Sequence, residues 1–106
     1  LEKLIVRGFF YICYMKNIHN LISDALEAAQ VQESDYVITV ERISPILCTV
    51  TLDHKHSTGI FIIAIEHDSN GLIRSVDALE NNHFVIDGFR YTRILQTIYN
   101  GEYMYS

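Results

Sequence analysis

Hydrophobic and polar positions change their period several times along this chain, and each change marks an element. Apolar residues recur at Ile18, Leu21, Ile22, Ala25, Leu26 and Ala29. That spacing of three and four predicts an amphipathic helix over residues 18–30 with one buried face. Asn17 stands where an N-cap belongs, and Asp24 and Glu27 fall on the solvent side. From Tyr36 the period becomes two. Tyr36, Ile38 and Val40 alternate with Val37, Thr39 and Glu41, predicting a strand with one strongly apolar face. Ser44-Pro45 interrupts it, because proline sets a turn dihedral and offers no amide donor. The next strand places Ile46, Cys48, Val50 and Leu52 on one face and Leu47, Thr49, Thr51 and Asp53 on the other.

After a polar turn from Asp53 to Gly59, the run Ile60-Phe61-Ile62-Ile63-Ala64-Ile65 is apolar at every position. Such a run predicts a central strand covered on both faces. Asp68-Ser69-Asn70-Gly71 is a hairpin signal, since Asn-Gly tolerates the positive φ angles of a tight turn. Leu72 to Leu79 then returns antiparallel. Phe84-Val85-Ile86 reads as a short strand after Asn81-Asn82, and Ile94, Leu95, Ile98 and Tyr99 predict a helix from about Phe89 to Tyr99, stopped at Asn100-Gly101. The tail Glu102-Tyr103-Met104-Tyr105 is too apolar for a comfortable free end. At the other terminus, Leu4 to Met15 is apolar but interrupted by Arg7 and Gly8. It is too short to cross a bilayer, and no small-x-small pattern of a cleaved secretory leader follows it. Ile5, Val6, Phe9, Phe10, Tyr11 and Ile12 suit a buried strand. The chain does not begin with Met, so Leu1 and Glu2 carry no argument.

These elements predict a single α+β domain over residues 1–106: an antiparallel sheet of about five strands, with an N-terminal amphipathic helix and a C-terminal helix packed on one face. The length of 106 residues, 49% of them hydrophobic and 20% charged, with one proline, agrees with one compact core.

Charge narrows the function classes. The net charge of −5 argues against phosphate-backbone binding, which needs a basic stripe, so no direct nucleic-acid partner is expected. Between Lys16 and Arg42 lie Asp24, Glu27, Glu33, Asp35 and Glu41, with no Lys or Arg among them. A one-signed field of that kind favours basic partners. Cys13 and Cys48 sit in apolar runs without the spacing of a zinc or redox motif, which reads as core thiols in a reducing, cytoplasmic setting.

Histidines are the first candidates for chemistry. His54 and His56 flank Lys55 in the predicted turn, and His67 stands beside Glu66 and Asp68 at the far end of the following strand. Those two ends lie roughly 20 Å apart, too far for one metal site. A metal-independent ribonuclease or phosphodiesterase would use His54 and His56 as acid and base, Lys55 to stabilise the transition state, and His83 as a distant partner. The acidic balance opposes an RNA substrate. The pairs Glu66/Asp68 and Asp77/Glu80 lack the density of a calcium loop, and the glycines form neither a G-x-G-x-x-G nor a G-K-[ST] motif, so neither metal nor cofactor is expected. Nor do Ser57 and Thr58 stand in any nucleophile motif.

Tyrosines concentrate at the C-terminus: Tyr91, Tyr99, Tyr103 and Tyr105. Tyrosine offers large, stiff, amphipathic contact area. Asp35-Tyr36 and Glu102-Tyr103 join it to carboxylates. Arg90 and Arg93 form the one compact basic pair. The leading expectation is therefore a protein-binding module and not an enzyme: an inhibitor or immunity protein that covers the active site of a basic, nuclease-type toxin. Glu33, Asp35, Tyr36, Glu41, Tyr99, Glu102, Tyr103 and Tyr105 are its expected contact residues. Self-association through the tail or a sheet edge is the third expectation. Nothing in the pattern points to a membrane partner.

Overall fold

The computed structural model describes residues 16–105. The expected strand Leu4–Met15, and with it Cys13, lies outside the described residues. Chain order is β1 (Lys16–Asn17), α1 (Ile18–Ala28), β2 (Tyr36–Ser44), β3 (Leu47–His54), β4 (Ile60–His67), β5 (Ile73–Asn81), α2 (Gly88–Asn100) and β6 (Met104–Tyr105). Single 3₁₀ turns occupy Glu33–Asp35 and Asn82–Phe84.

The domain is α+β, as expected, and among the described residues its antiparallel sheet has four strands; about five were expected. β2, β3, β4 and β5 form an antiparallel meander in that order, while β1 and β6 make a separate, parallel two-residue pair. The expected strand at Phe84-Val85-Ile86 does not form. Asn81 claims its backbone instead: the side-chain amide donates to the Ile86 carbonyl at 2.6 Å and accepts from the Ile86 amide at 3.3 Å. The chain turns there with His83 and Phe84 both at positive φ, 57° and 48°.

Alternation decides which face of the sheet is buried. Cys48, Val50 and Leu52 of β3 and Phe61, Ile63 and Ile65 of β4 are fully buried beneath Ile18, Leu21, Ile22, Ala25 and Leu26 of α1 and Ile94 and Ile98 of α2. Each large aliphatic or aromatic side chain so buried contributes about 1.5–3 kcal/mol relative to exposure. The helices also pack on each other, and Tyr91 of α2 leans on Phe61 with ring centroids 6.3 Å apart.

The opposite face carries no helix or strand among the described residues. Ile60, Ile62 and Ala64 lie on it half-buried, so among the described residues the helices cover β4 on one face, where cover on both was expected.

Helix ends follow local chemistry. The Asn17 side chain accepts from the His19 amide at 2.8 Å, capping α1. At its other end the Gln30 amide reaches the Glu27 carbonyl at 3.0 Å and the Val31 amide the Leu26 carbonyl at 2.8 Å, a Schellman closure. Asp87 caps α2, its carboxylate accepting from the Arg90 amide at 2.9 Å. The hairpin between β4 and β5 forms where expected, with the Asp68 amide on the Leu72 carbonyl at 3.0 Å closing the turn around Ser69, Asn70 and Gly71. Gly71 takes φ 86°, and Asp68 accepts from the amides of Asn70 and Leu72 at 2.8 and 3.0 Å. The tail is tied down: the Met104 amide bonds the Gly71 carbonyl, the Ile73 amide bonds the Glu102 carbonyl, and the Met104 side chain is buried.

The Schellman closure places Gln30 at φ 59°, a conformation that disfavours residues with a Cβ. Gln30→Gly is expected to raise stability by about 0.5–1 kcal/mol in urea titration, because glycine enters that region without steric cost.

Candidate functional site

Strand register assembles the candidate site on the uncovered face of the sheet. Glu41 pairs with Thr49, Thr49 with Ala64 and Ala64 with Asp77; beside that row, Thr39 pairs with Thr51, Thr51 with Ile62 and Ile62 with Glu80. The flanking rows contribute Val37, Asp53 and Ile60 at one end and Leu47, Glu66 and Ser75 at the other. Thr49, Thr51, Ile62 and Ala64 therefore form a half-buried centre, and the exposed carboxylates Glu41, Asp53, Glu66, Asp77 and Glu80 surround it. These paired positions include no Lys or Arg; Arg74 sits in a bulge at one margin. Arg42 pairs with Cys48, which puts it on the helix side, and its guanidinium donates to the Ser44 and Pro45 carbonyls and to His67 Nε2.

A polar rim around an apolar centre is the anatomy of a protein–protein interface. Five like charges around that centre impose a negative potential, strongest for a partner that excludes water from it. The threonines add hydroxyls that donate or accept in any orientation.

The residues expected at the partner surface are not brought together. Tyr36 points inward and is buried, its hydroxyl 3.5 Å from the Val85 carbonyl. Burial, and then the negative charge of Asp35, raise its pKa against an opposing pull from Arg90. Glu33 and Asp35 belong to the 3₁₀ turn ahead of β2, at the end of the sheet where β3 finishes. Tyr99, Glu102, Tyr103 and Tyr105 lie at the opposite end, where the tail meets the β4–β5 hairpin. The length of an eight-residue strand, roughly 25 Å, separates the two groups. Only Glu41 of that expected set lies on the uncovered sheet face.

The histidines divide in the same way. His54 and His56 stand together, ring centroids 5.7 Å apart, and Tyr36 meets the His54 ring edge-on at 5.1 Å. His54 Nδ1 is engaged locally: the His56 amide donates to it at 3.2 Å, and the Ser57 hydroxyl lies at 3.1 Å. His56 Nε2 lies 3.9 Å from Asp35. His83 occupies the strained turn at the same end, next to Asn82, whose side chain accepts from the Ile60 amide. His67 is buried at the far end of β4, with Nδ1 on the Asp68 carbonyl at 2.8 Å. Among the described residues no three His, Cys, Asp or Glu side chains gather as a metal site. Lys55 lines a shallow depression with Glu33, Ser34, Tyr36 and Ile38 that includes none of the histidines. Burial raises the pKa of Cys48, partly opposed by Arg42, which leaves a protonated core thiol and not a nucleophile.

Two features escaped the sequence reading. The carboxylate rim comes from four different strands, and only strand parity combined with register unites it. Phe84 and Phe89 are 87% and 86% exposed, though nothing in their sequence setting distinguishes them from core aromatics.

No protein-family model matches the chain, and neither the curated proteins nor the solved structures include a significant match. No helix among the described residues is long and apolar enough to cross a membrane.

Asp87 positions α2, whose first turn carries Arg90 with its guanidinium 2.8 Å from the Asp87 carboxylate. The backbone amide bond from Arg90 comes first among the causes that lower the Asp87 pKa. A carboxylate so lowered stabilises the fold above its unfolded value of about 3.9, and that contribution is lost as the pH falls through the lower native value. Asn keeps the capping oxygen without the charge. Wild type is thus expected to melt above Asp87→Asn at neutral pH, with the gap closing below about pH 4; a gap independent of pH would assign the difference to something other than this carboxylate.

Proposed function

We propose that this chain is a protein-binding module whose uncovered sheet face receives a basic protein, most concretely an inhibitor or immunity protein for a nuclease-type toxin. The observation that supports this reading is the ring of Glu41, Asp53, Glu66, Asp77 and Glu80 around Thr49, Thr51, Ile62 and Ala64. Those carboxylates would occupy the places of nucleic-acid phosphates in a basic cleft, and long-range attraction would speed the encounter. The apolar centre would supply the dry contact that slows dissociation. The acidic helix positions Asp24 and Glu27 face solvent on the other side of the molecule and contribute mainly to solubility.

The competing reading is a ribonuclease built on His54, Lys55, His56 and His83. It gains from the shared location of those residues at one end of the sheet, and loses from the local bonds that occupy His54 Nδ1.

A triple variant, Glu41→Gln, Glu66→Gln and Asp77→Asn, tests the interface directly against the control Asp24→Asn/Glu27→Gln. Captured from an extract of the source cells, a single basic protein should elute with rising salt from the wild type and the helix control. Its retention on the sheet variant should fall at least about tenfold. Equal retention on all three would contradict the sheet-face reading. RNA cleavage that disappears in His56→Ala would replace that reading with the enzymatic one.

A further inference from the structure

The two edges of the sheet differ in a way that bears on assembly. Along β5 the ladder slips twice, once where Leu79 is extra and once where Arg74 is extra, and Tyr103 bridges to Leu72 just ahead of the strand. Bulges of that kind break an edge for pairing. β2 is different. It pairs with β3 without a slip from Tyr36 to Arg42, and no strand lies on its other side among the described residues. Its one irregularity comes at Ile43, after seven regular residues. An unbroken edge of this length offers a full row of backbone donors and acceptors for another strand.

The side chains say which strand fits. Val37 and Ile43 are 53% and 52% exposed, and both belong to β2. Their numbers place them symmetrically about Val40. We propose that β2 pairs antiparallel with β2 of a second copy about a two-fold axis at Val40, joining two four-stranded sheets into one of eight. In that register Val37 of each copy meets Ile43 of the other, and each Glu41 meets Thr39. Moving the axis to Glu41 would set two glutamates face to face; moving it to Thr39 would set Val37 against Glu41. Like charges opposite one another destabilise a strand pair, whereas apolar cross-strand pairs stabilise it. Val40 is therefore the axis at which the edge complements itself.

This pairing is independent of the proposed partner at the sheet face, and salt separates the two. Each copy carries a net charge of −5, so self-association should strengthen as salt screens the mutual repulsion. Capture of a basic partner should weaken under the same change.

Sedimentation of the purified chain from about 5 µM to about 500 µM, at low and at high salt, reads the association. Wild type and Leu79→Lys, altered on the bulged edge, should shift from monomer to dimer together. Val37→Lys should weaken the dimer at least about tenfold, with its folding checked by circular dichroism. The double variant Val37→Lys/Ile43→Glu places opposite charges across the axis and should recover dimer that Val37→Lys alone loses. Amide hydrogen exchange in β2 should slow as wild-type concentration rises. A wild type that stays monomeric at the highest concentration and salt would overturn the proposal. So would a dimer unaffected by Val37→Lys, failure of the double variant to recover, or β2 protection that does not depend on concentration.

Discussion

The molecule is organised by the burial of one face of β3 and β4. Cys48, Val50 and Leu52 face the same way as Phe61, Ile63 and Ile65, and both helices dock on the surface those six make. Because side chains alternate along a strand, packing that face fixes everything on the other. Glu41, Asp53, Glu66 and Asp77 are displayed together because their sequence neighbours Val40, Leu52, Ile65 and Val76 belong to the core or pack against it, and Glu80 joins them through its pairing with Ile62. A one-residue slip of any strand would send its carboxylate under the helices, where burying an unpaired charge is strongly unfavourable. The acidic rim and the hydrophobic core are thus two consequences of a single register.

Much of the architecture was legible in the chain. The spacing from Ile18 to Ala29 defines α1, Asn17 caps it, and the change to period two at Tyr36 marks β2. Ser44-Pro45 and Asp68–Gly71 mark two turns, and Ile94, Leu95 and Ile98 mark α2. These signals are local, so propensity and periodicity reveal them. What was not legible depended on pairing. The Phe84-Val85-Ile86 segment has strand composition, but Asn81 uses its side-chain amide to hold Ile86 in a turn, and composition does not register that competition. The tail looked available for a neighbour, yet Met104 and Glu102 bond the Gly71–Ile73 segment of the same chain.

The candidate site shows the same division. Sequence reading located acidity between residues 17 and 41, a one-dimensional cluster. In the fold that cluster disperses: Asp24 and Glu27 go to the helix surface, Glu33 and Asp35 to a turn, and Glu41 alone to the sheet face. Asp24 is further engaged by Lys16 at 2.8 Å. The cluster that does form is made of residues spread over forty positions, from Glu41 to Glu80. Tyr36 is instructive for a different reason. An aromatic beside a carboxylate reads as surface, but the parity of β2 sends Tyr36 inward with Ile38 and Val40, and its hydroxyl is tolerated there because Val85 offers a carbonyl.

A basic partner seated on the uncovered sheet face would shield the carboxylates around it from solvent. Carbodiimide labelling of the carboxylates, with and without extract from the source cells, tests it most directly, because each acidic residue reports on its own location. Labelling of Glu41, Glu66 and Asp77 should fall when the partner is present while that of Asp24 and Glu27 stays the same. Protection confined to Asp24 and Glu27, or to Glu33 and Asp35 beside the histidine turn, would contradict it.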